Sequence, residues 1–543
     1  MEARQASGDL IDRTTAAALA EKKKLRKSFR RFDIFFFLLC TLISLDTVGA
    51  VSANGAQAFT WIIFMGIFLF LPYGLIMSEL GTAFPEEGGP YVWTRLAFGR
   101  FPAAVNAVLY WIANPVWVGG TLTVTAMAAV DAFFLTKPMH GPAQYLFGLA
   151  FIWAVITATI LSFRIGKWIP NIGGFLRVII LGFFMVSVII YAIKHGVHGF
   201  GGHAFLPTYA VFIALAPLLF FNYTGFEVPS AAGEEMTNPQ RDVPYAIART
   251  FGLTILFFAG PILGVLLVMP PGQATGLGGF VDAAKAVFTV YGGHVAADGT
   301  ATLTGAGLVL GKTAAIGAVL VVLTAGTSWP IGGDRAQAVA GFDGAGPRVL
   351  GYFSRRFGTP VVVNVLSGVV ASAMLVMVLT ITSGNTAKYF SAVLGLVLSL
   401  TVLSYILIFP ALIKLRYSHP HVPRPFRIPG GNVAAWVVGG LATFWAVFGS
   451  VVILWPGLGV NWFGQKGDPD ASLPGGFTRL QFELTQFIPL ALILLLGVSF
   501  YLLGRKTRAQ MVEIPFSEEV RLAPPAAAGA GLVSDDGAGG VSY

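Results

Sequence analysis

Two carboxylates interrupt apolar runs in this 543-residue chain. Asp46 lies within Ser44-Leu45-Asp46-Thr47-Val48-Gly49, and Glu227 ends the string Phe220-Phe221-Asn222-Tyr223-Thr224-Gly225-Phe226-Glu227. An acid at the centre of a membrane helix costs about 2.5 to 3.5 kcal/mol, so such an acid is a functional residue by default. The chemistry open to it is non-covalent: it can pair with an ammonium group, or take up and release a proton. Glycine stands beside each acid and Pro229 follows the second, so the helices are expected to unwind there. Unwound backbone survives at membrane depth only where it is buried in protein or lines a cavity.

An interrupted helix offers amides and a positive dipole end to a carboxylate, and free carbonyls to an ammonium or cation. The expected substrate site is therefore Asp46, Thr47, Val48 and Gly49 facing Phe220, Phe221, Asn222, Tyr223, Thr224 and Gly225. Glu227, flanked by Phe226 and Val228, is poorly solvated and is the first candidate proton carrier, with Asp46 the second. Phe226 and Trp329 are candidate gating side chains. A second reading makes Asp46 the cap of an outer half-helix, since Asp is a preferred capping residue.

The elements that position these groups follow from composition. At 55% hydrophobic and 11% charged residues, the chain has too little polar surface for a large soluble protein. Runs of roughly 20 apolar residues read as membrane spans. Twelve are expected, near 33–53, 58–81, 102–130, 143–163, 169–193, 208–231, 245–269, 303–332, 360–382, 388–413, 434–456 and 484–504. Of the 35 Lys and Arg, 27 fall on the side of the termini, which places both termini in the cytoplasm of a multi-pass protein of the cytoplasmic membrane. The net charge of +9 therefore reflects topology and not nucleic-acid binding. The segment before Phe32 is too basic for a cleaved signal peptide, and the Ala-, Gly- and Pro-rich tail is expected to be disordered. The expected domains are a basic segment 1–31, a transporter domain 32–505 and a tail 506–543.

The broken first and sixth spans stand at the head of two successive sets of five, about 33–193 and 208–413, followed by two extra helices about 434–504. Interrupted segments at matching positions of two halves point to a transporter site between inverted repeats. Here the chain resembles the amino acid-polyamine-organocation superfamily of permeases, and within it the bacterial glutamate/GABA antiporter-like branch. The resemblance rests on Phe70-Leu71-Pro72-Tyr73-Gly74, Glu79-Leu80 and Glu86-Glu87-Gly88-Gly89, on Tyr223 to Glu227, and on Glu235-Met236-Thr237-Asn238-Pro239-Gln240-Arg241-Asp242. Ser328-Trp329 with Arg335, and Arg424-Pro425-Phe426-Arg427-Ile428-Pro429-Gly430-Gly431, complete it. It implies an all-α integral membrane protein of twelve transmembrane helices, two inverted five-helix LeuT-like repeats plus two, with helices 1 and 6 broken, working by alternating access.

Where the family commonly carries a Gly-Ser-Gly-like string, this chain reads Leu45-Asp46-Thr47-Val48-Gly49. Where the antiporter branch places an acid before its Ser-Trp, this chain reads Thr324-Ala325-Gly326-Thr327. A cationic amine or polyamine is therefore an alternative substrate to an amino acid, and a non-transporting sensor of the same ligand an alternative function. Family members often carry Lys at the position of Arg177, near where sodium-coupled relatives hold a cation. The resemblance thus implies that Arg177 substitutes for sodium, leaving proton coupling or exchange as the energy source. The single Cys40 and the seven scattered His residues make no metal-ligand pattern. No hydrolytic constellation and no nucleotide-binding loop is legible, so neither enzyme activity nor a cofactor is expected. The partners are a small amine-bearing substrate and the bilayer; the sequence leaves oligomeric state open.

Overall fold

A computed structural model of the chain describes residues 11–14, 29–165, 168–269, 278–296, 299–382, 386–464, 467–473 and 477–515. The first apolar run forms two pieces, α1 (Arg31–Leu42) and α2 (Val48–Ser52), with residues 43–47 outside any helix. Then come α3 (Gln57–Ala83), the short α4 (Gly89–Phe98), α5 (Arg100–Phe134), α6 (Pro142–Ile165) and α7 (Trp168–His195). Helix α8 (Tyr209–Asn222) stops at Tyr223, and the chain resumes only as a 3-10 turn over Val228–Ala231. The remainder is α9 (Pro239–Val268), α10 (Gly278–Phe288), α11 (Gly305–Phe342), α12 (Val361–Ile381), α13 (Thr386–Ser418), α14 (Gly431–Leu454) and α15 (Arg479–Leu503).

Ten of these helices, α3, α5, α6, α7, α9 and α11 to α15, are long and apolar enough to cross a bilayer. Inside them the hydroxyls of Ser78, Thr82, Thr159, Thr250 and Ser399 bond back to carbonyls four residues earlier, which satisfies them without water. Large apolar side chains line the outer faces: Ile172, Phe175, Ile179, Val186, Ile189 and Ile193 on α7, and Leu484, Ile488, Leu492 and Leu495 on α15.

Two features bring the site together. A Cβ on Gly174 would lie 2.5 Å from the Phe36 carbonyl oxygen, so α7 and α1 meet backbone to backbone just before Arg177. In α5, a π-helical stretch at Val118–Leu122, with Gly120 at φ −98 and ψ −105, bends the helix beside Asp46, and such bulges accompany functional sites.

The short helices α4 and α10 and the strand pair Gly293–Val295 with Ala301–Leu303 lie in connections that carry no span-length apolar run, which is why hydropathy misses them. The tail expected to lack structure from 506 is ordered in its first part. Arg505–Arg508 forms a helical turn, and Val512–Pro515 pairs antiparallel with Ile11–Thr14, because two extended termini on one side can satisfy each other's backbone groups. Most of the basic segment 1–31, and the tail beyond 515, lie outside the described residues.

Candidate functional site

The two interruptions meet. Thr47 Oγ1 donates to Asn222 Oδ1 at 2.5 Å across 175 residues of sequence, and both side chains are buried. Asn222 Nδ2 has no hydrogen-bond partner among the described residues. A buried donor left unmade costs about 1 to 3 kcal/mol, a cost a bound acceptor would remove. Asp46 is 1% exposed and accepts from Ser44 Oγ and, at 3.3 Å, from Trp117 Nε1. It does not cap α2, whose N-cap is Thr47 without a side-chain cap bond. The Trp117 ring stands edge-on to Phe221 and to Trp329, each at 5.8 Å. Trp329 is held in turn by its Nε1 donating to the Thr41 carbonyl at 3.0 Å. Gly225, at φ +124, lets the chain pass the indole: a Cβ there would sit 3.2 Å from Trp329 Cζ2. A buried carboxylate beside a cluster of aromatic rings is a setting for an ammonium or guanidinium group, which can gain from both.

Other residues of the expected site point elsewhere. Phe220 packs on Gly449 and Trp445 of α14. Tyr223 donates to the Ile62 carbonyl at 2.7 Å, and Phe226 stacks on Phe70 at 4.4 Å. These three hold α8 and its sequel against α3 and α14 as packing, because an apolar stretch after a helix end buries rings in whichever neighbour lies closest. The carbonyls of Phe220 and Phe221 already accept from the amides of Tyr223 and Thr224. Thr224 Oγ1 also bonds to the Phe221 carbonyl. Val48 and Gly49 open the half-helix α2.

Glu227 sits in a cage of three tyrosines. Tyr73 donates to Oε2, while Tyr110 and Tyr405 donate to Oε1 at 3.0 and 2.9 Å. The Tyr73 oxygen also accepts the amides of Gly225 and Phe226, both at 2.9 Å. Four separate elements, α3, α5, α13 and the break after α8, thus converge on one carboxylate with no basic residue paired to it among the described residues.

Arg177 is fully buried and occupies the junction of α1, α7 and α11. Nε donates to the Ile43 carbonyl at 2.7 Å, Nη1 to the Gly173 carbonyl at 2.8 Å and to Thr324 Oγ1 at 3.2 Å, and Nη2 to the Val321 carbonyl at 2.9 Å. Cys40 Sγ completes its shell at 3.2 Å. The oxygen set is one that a metal cation would also accept.

Sequence reasoning missed Trp117, Tyr110 and Tyr405, which carry no local signal, the role of Tyr73, which it quoted only within a family-like string, and Asp334. That acid is buried in α11, which runs ten residues past the boundary expected at 332. It accepts from Asn364 Nδ2 at 2.5 Å and from Ser367 Oγ at 2.7 Å, and Trp111 Nε1 donates to the same Ser367 oxygen at 2.9 Å. The signal available was an acid directly after Gly332-Gly333, at the end of the apolar run.

The model of a protein family described as amino acid permease matches residues 29–464. The chain belongs to this family. Among relatives of the permease, an uncharacterised transporter of Legionella pneumophila is 27% identical over 441 residues, covering 79% of this chain and 90% of that protein. A probable agmatine/putrescine antiporter of Lactococcus lactis is 27% identical over 416 residues, 75% of this chain and 84% of that protein. A branched-chain amino acid permease of Bacillus subtilis is 25% identical over 460 residues, 80% and 89% respectively. The solved structure of a manganese transporter of Eremococcus coleocola superposes with a TM-score of 0.54 at 12% identity, over 88% of this chain and 94% of that one. That likeness shows the LeuT-type fold. The permease is thus a multi-pass membrane protein, and among its described residues no group of three or more His, Cys, Asp or Glu is placed to hold a metal.

Proposed function

We propose that the protein is a secondary transporter that moves an amino acid or related amine across the cytoplasmic membrane by alternating access. The observation that carries this reading is the Thr47–Asn222 hydrogen bond, which closes the two helix breaks onto each other beside Asp46. Counting each broken segment as one crossing gives twelve spans: a first repeat of α1/α2, α3, α5, α6 and α7, a second of α8, α9, α11, α12 and α13, and α14 and α15 outside both. The distribution of Lys and Arg, together with the pairing of the terminal strands, supports termini on the cytoplasmic side.

In this reading the substrate's ammonium meets Asp46 between Trp117 and Trp329, and its polar remainder, a carboxylate where present, meets Asn222 Nδ2 and the amides of Val48 and Gly49. Arg177 holds the place of sodium, so transport draws on protons or on exchange, with Glu227 as the proton carrier. A cationic amine without a carboxylate is the second reading. It is favoured by Asp46, which makes no ion pair within 4 Å among the described residues, and by the likeness to an antiporter named for agmatine and putrescine.

A thermal-shift screen of the purified protein against amino acids and amines identifies the ligand, because binding to the folded state raises stability as ln(1 + [L]/Kd). Accumulation of the labelled ligand in proteoliposomes then tests transport. Binding without accumulation would make the protein a sensor, and no binding by any amine would sink the reading.

A further inference from the structure

Beyond Arg177 along α7 the protein is hollow. A recess of about 660 Å³, its open mouth included, lies between α5, α7, α10 and α11. Six of the residues lining it are alanines, among them Ala129 of α5, Ala284 of α10 and Ala315 and Ala318 of α11, and their short side chains leave the space. Packed interiors hold few voids larger than a water molecule.

The recess belongs to the interior and not to the lipid boundary. On α11 the exposed apolar residues include Val309, Ile316 and Leu320, and at 3.6 residues per turn Ala315 and Ala318 are turned away from that stripe. Leu45, Phe184 and Phe288, also in its wall, are buried. It offers nothing to hold a charge. The one polar side chain lining it is Thr125, whose hydroxyl already donates to the Thr121 carbonyl at 2.8 Å. An apolar cavity of this kind stays dry and takes apolar ligands.

Two elements carry the recess to the substrate site. Leu45 lines it, and the next residue is Asp46. On α5, Trp117 donates to Asp46, Thr121 lies beside Asp46 one turn later, and Thr125 lines the recess one turn after that. The recess therefore begins about 6 Å, one helical turn, from a group beside Asp46, which a short aliphatic chain spans. We propose that the recess is the side-chain subsite of the substrate: the amine whose ammonium meets Asp46 carries an apolar chain that passes Leu45 into the space beneath α10. This rests on the reading of Asp46 as the ammonium site. A second ammonium or a carboxylate at the end of that chain would be stranded among alanine and phenylalanine, and burying an unpaired charge is expensive. The substrate class is thus an amino acid or monoamine with an aliphatic tail, and not a diamine.

The test is the dependence of affinity on chain length, read by calorimetry on the purified full-length protein. Two series are used: alanine, norvaline and norleucine, and the matching amines without the carboxylate, ethylamine, butylamine and pentylamine. Putrescine serves as butylamine with a second ammonium group. In whichever series binds, affinity should climb about fourfold per added methylene, and putrescine should bind more weakly than butylamine. Filling the recess with Ala315→Leu should flatten the climb while leaving the shortest member bound as in the unsubstituted protein. Should that variant fail to fold, Ala284→Leu on α10 fills the same space. A climb that survives the filling, the absence of a climb in the unsubstituted protein, or putrescine binding as tightly as butylamine overturns the subsite. Short members that bind without a climb leave Asp46 as the ammonium site. No binding by any member of either series removes that site, and the subsite with it.

Discussion

Replacing Arg177 with alanine removes the donors to three carbonyls, but the three losses are unequal. The Gly173 and Val321 carbonyls lie inside α7 and α11, and the Val321 oxygen still accepts from Thr324 Oγ1 at 2.9 Å. The Ile43 carbonyl lies where α1 has ended, and Arg177 is its one donor among the described hydrogen bonds. One orphaned buried acceptor costs about 1 to 3 kcal/mol, and the emptied volume adds to it. Because Ile43 opens the unwound segment that carries Asp46, the expected result is a loss of transport larger than the loss of fold. Uptake by Arg177→Ala in proteoliposomes should fall by at least about tenfold, the lower part of that range, while the protein still elutes as a folded species with a lowered melting point. Arg177→Lys, whose three donors can reach some of the same oxygens, should recover part of the rate. If a fixed cation is what the site requires, replacing sodium with choline should leave the unsubstituted protein unaffected, whereas sodium should raise the melting point of Arg177→Ala. Uptake and melting of Arg177→Ala equal to those of the unsubstituted protein would refute the argument and reduce the residue to filler.

Asp46→Asn should weaken amine binding by about 1.5 to 3 kcal/mol, the range for hydrogen bonds to charged groups; equal affinity by calorimetry would remove Asp46 from the site. Glu227→Gln should abolish accumulation driven by a pH gradient yet preserve counterflow, because exchange never requires the empty carrier to release its proton, and retained accumulation would reassign Glu227 to positioning. Asp334→Ala should lower the melting temperature more than Asp334→Asn, since alanine leaves both Asn364 Nδ2 and Ser367 Oγ without an acceptor; equal melting of the two variants would show that the pair is not held by Asp334.

The span-length helices and both interruptions were legible because each is written locally, in long apolar runs broken by Asp or Glu beside Gly and Pro. Asp46, Asn222 and Glu227 were legible for the same reason, since a polar group at membrane depth is conspicuous. Their partners were not. Nothing near Tyr110 or Tyr405 distinguishes them from other aromatic residues of the spans, and although Tyr73 lies in a family-like string, all three converge on Glu227 only through the packing of α3, α5 and α13. The rings of Phe220, Tyr223 and Phe226 turn into the packing against α3 and α14, because proximity to a break in sequence does not fix the side toward which a ring turns. Asp334 fell outside the expected site because a hydropathy boundary was taken for a helix end, while α11 continues to Phe342.

The last helix, α15, carries a further consequence. Its 25 residues make a rod of about 37 Å, against about 30 Å of hydrocarbon in a typical bilayer. Only 22% of its most apolar stretch is buried in protein, so lipid is its main solvent. Arg479 at one end is tied to Asp470, and Arg508, just beyond the other, stacks on Tyr501 and donates to the Gly344 carbonyl. With both ends moored, a thinner membrane must be met by tilting the rod. Membrane thickness therefore acts on the tilt of this edge as well as on the lipid-facing helices α7 and α11 that hold Arg177.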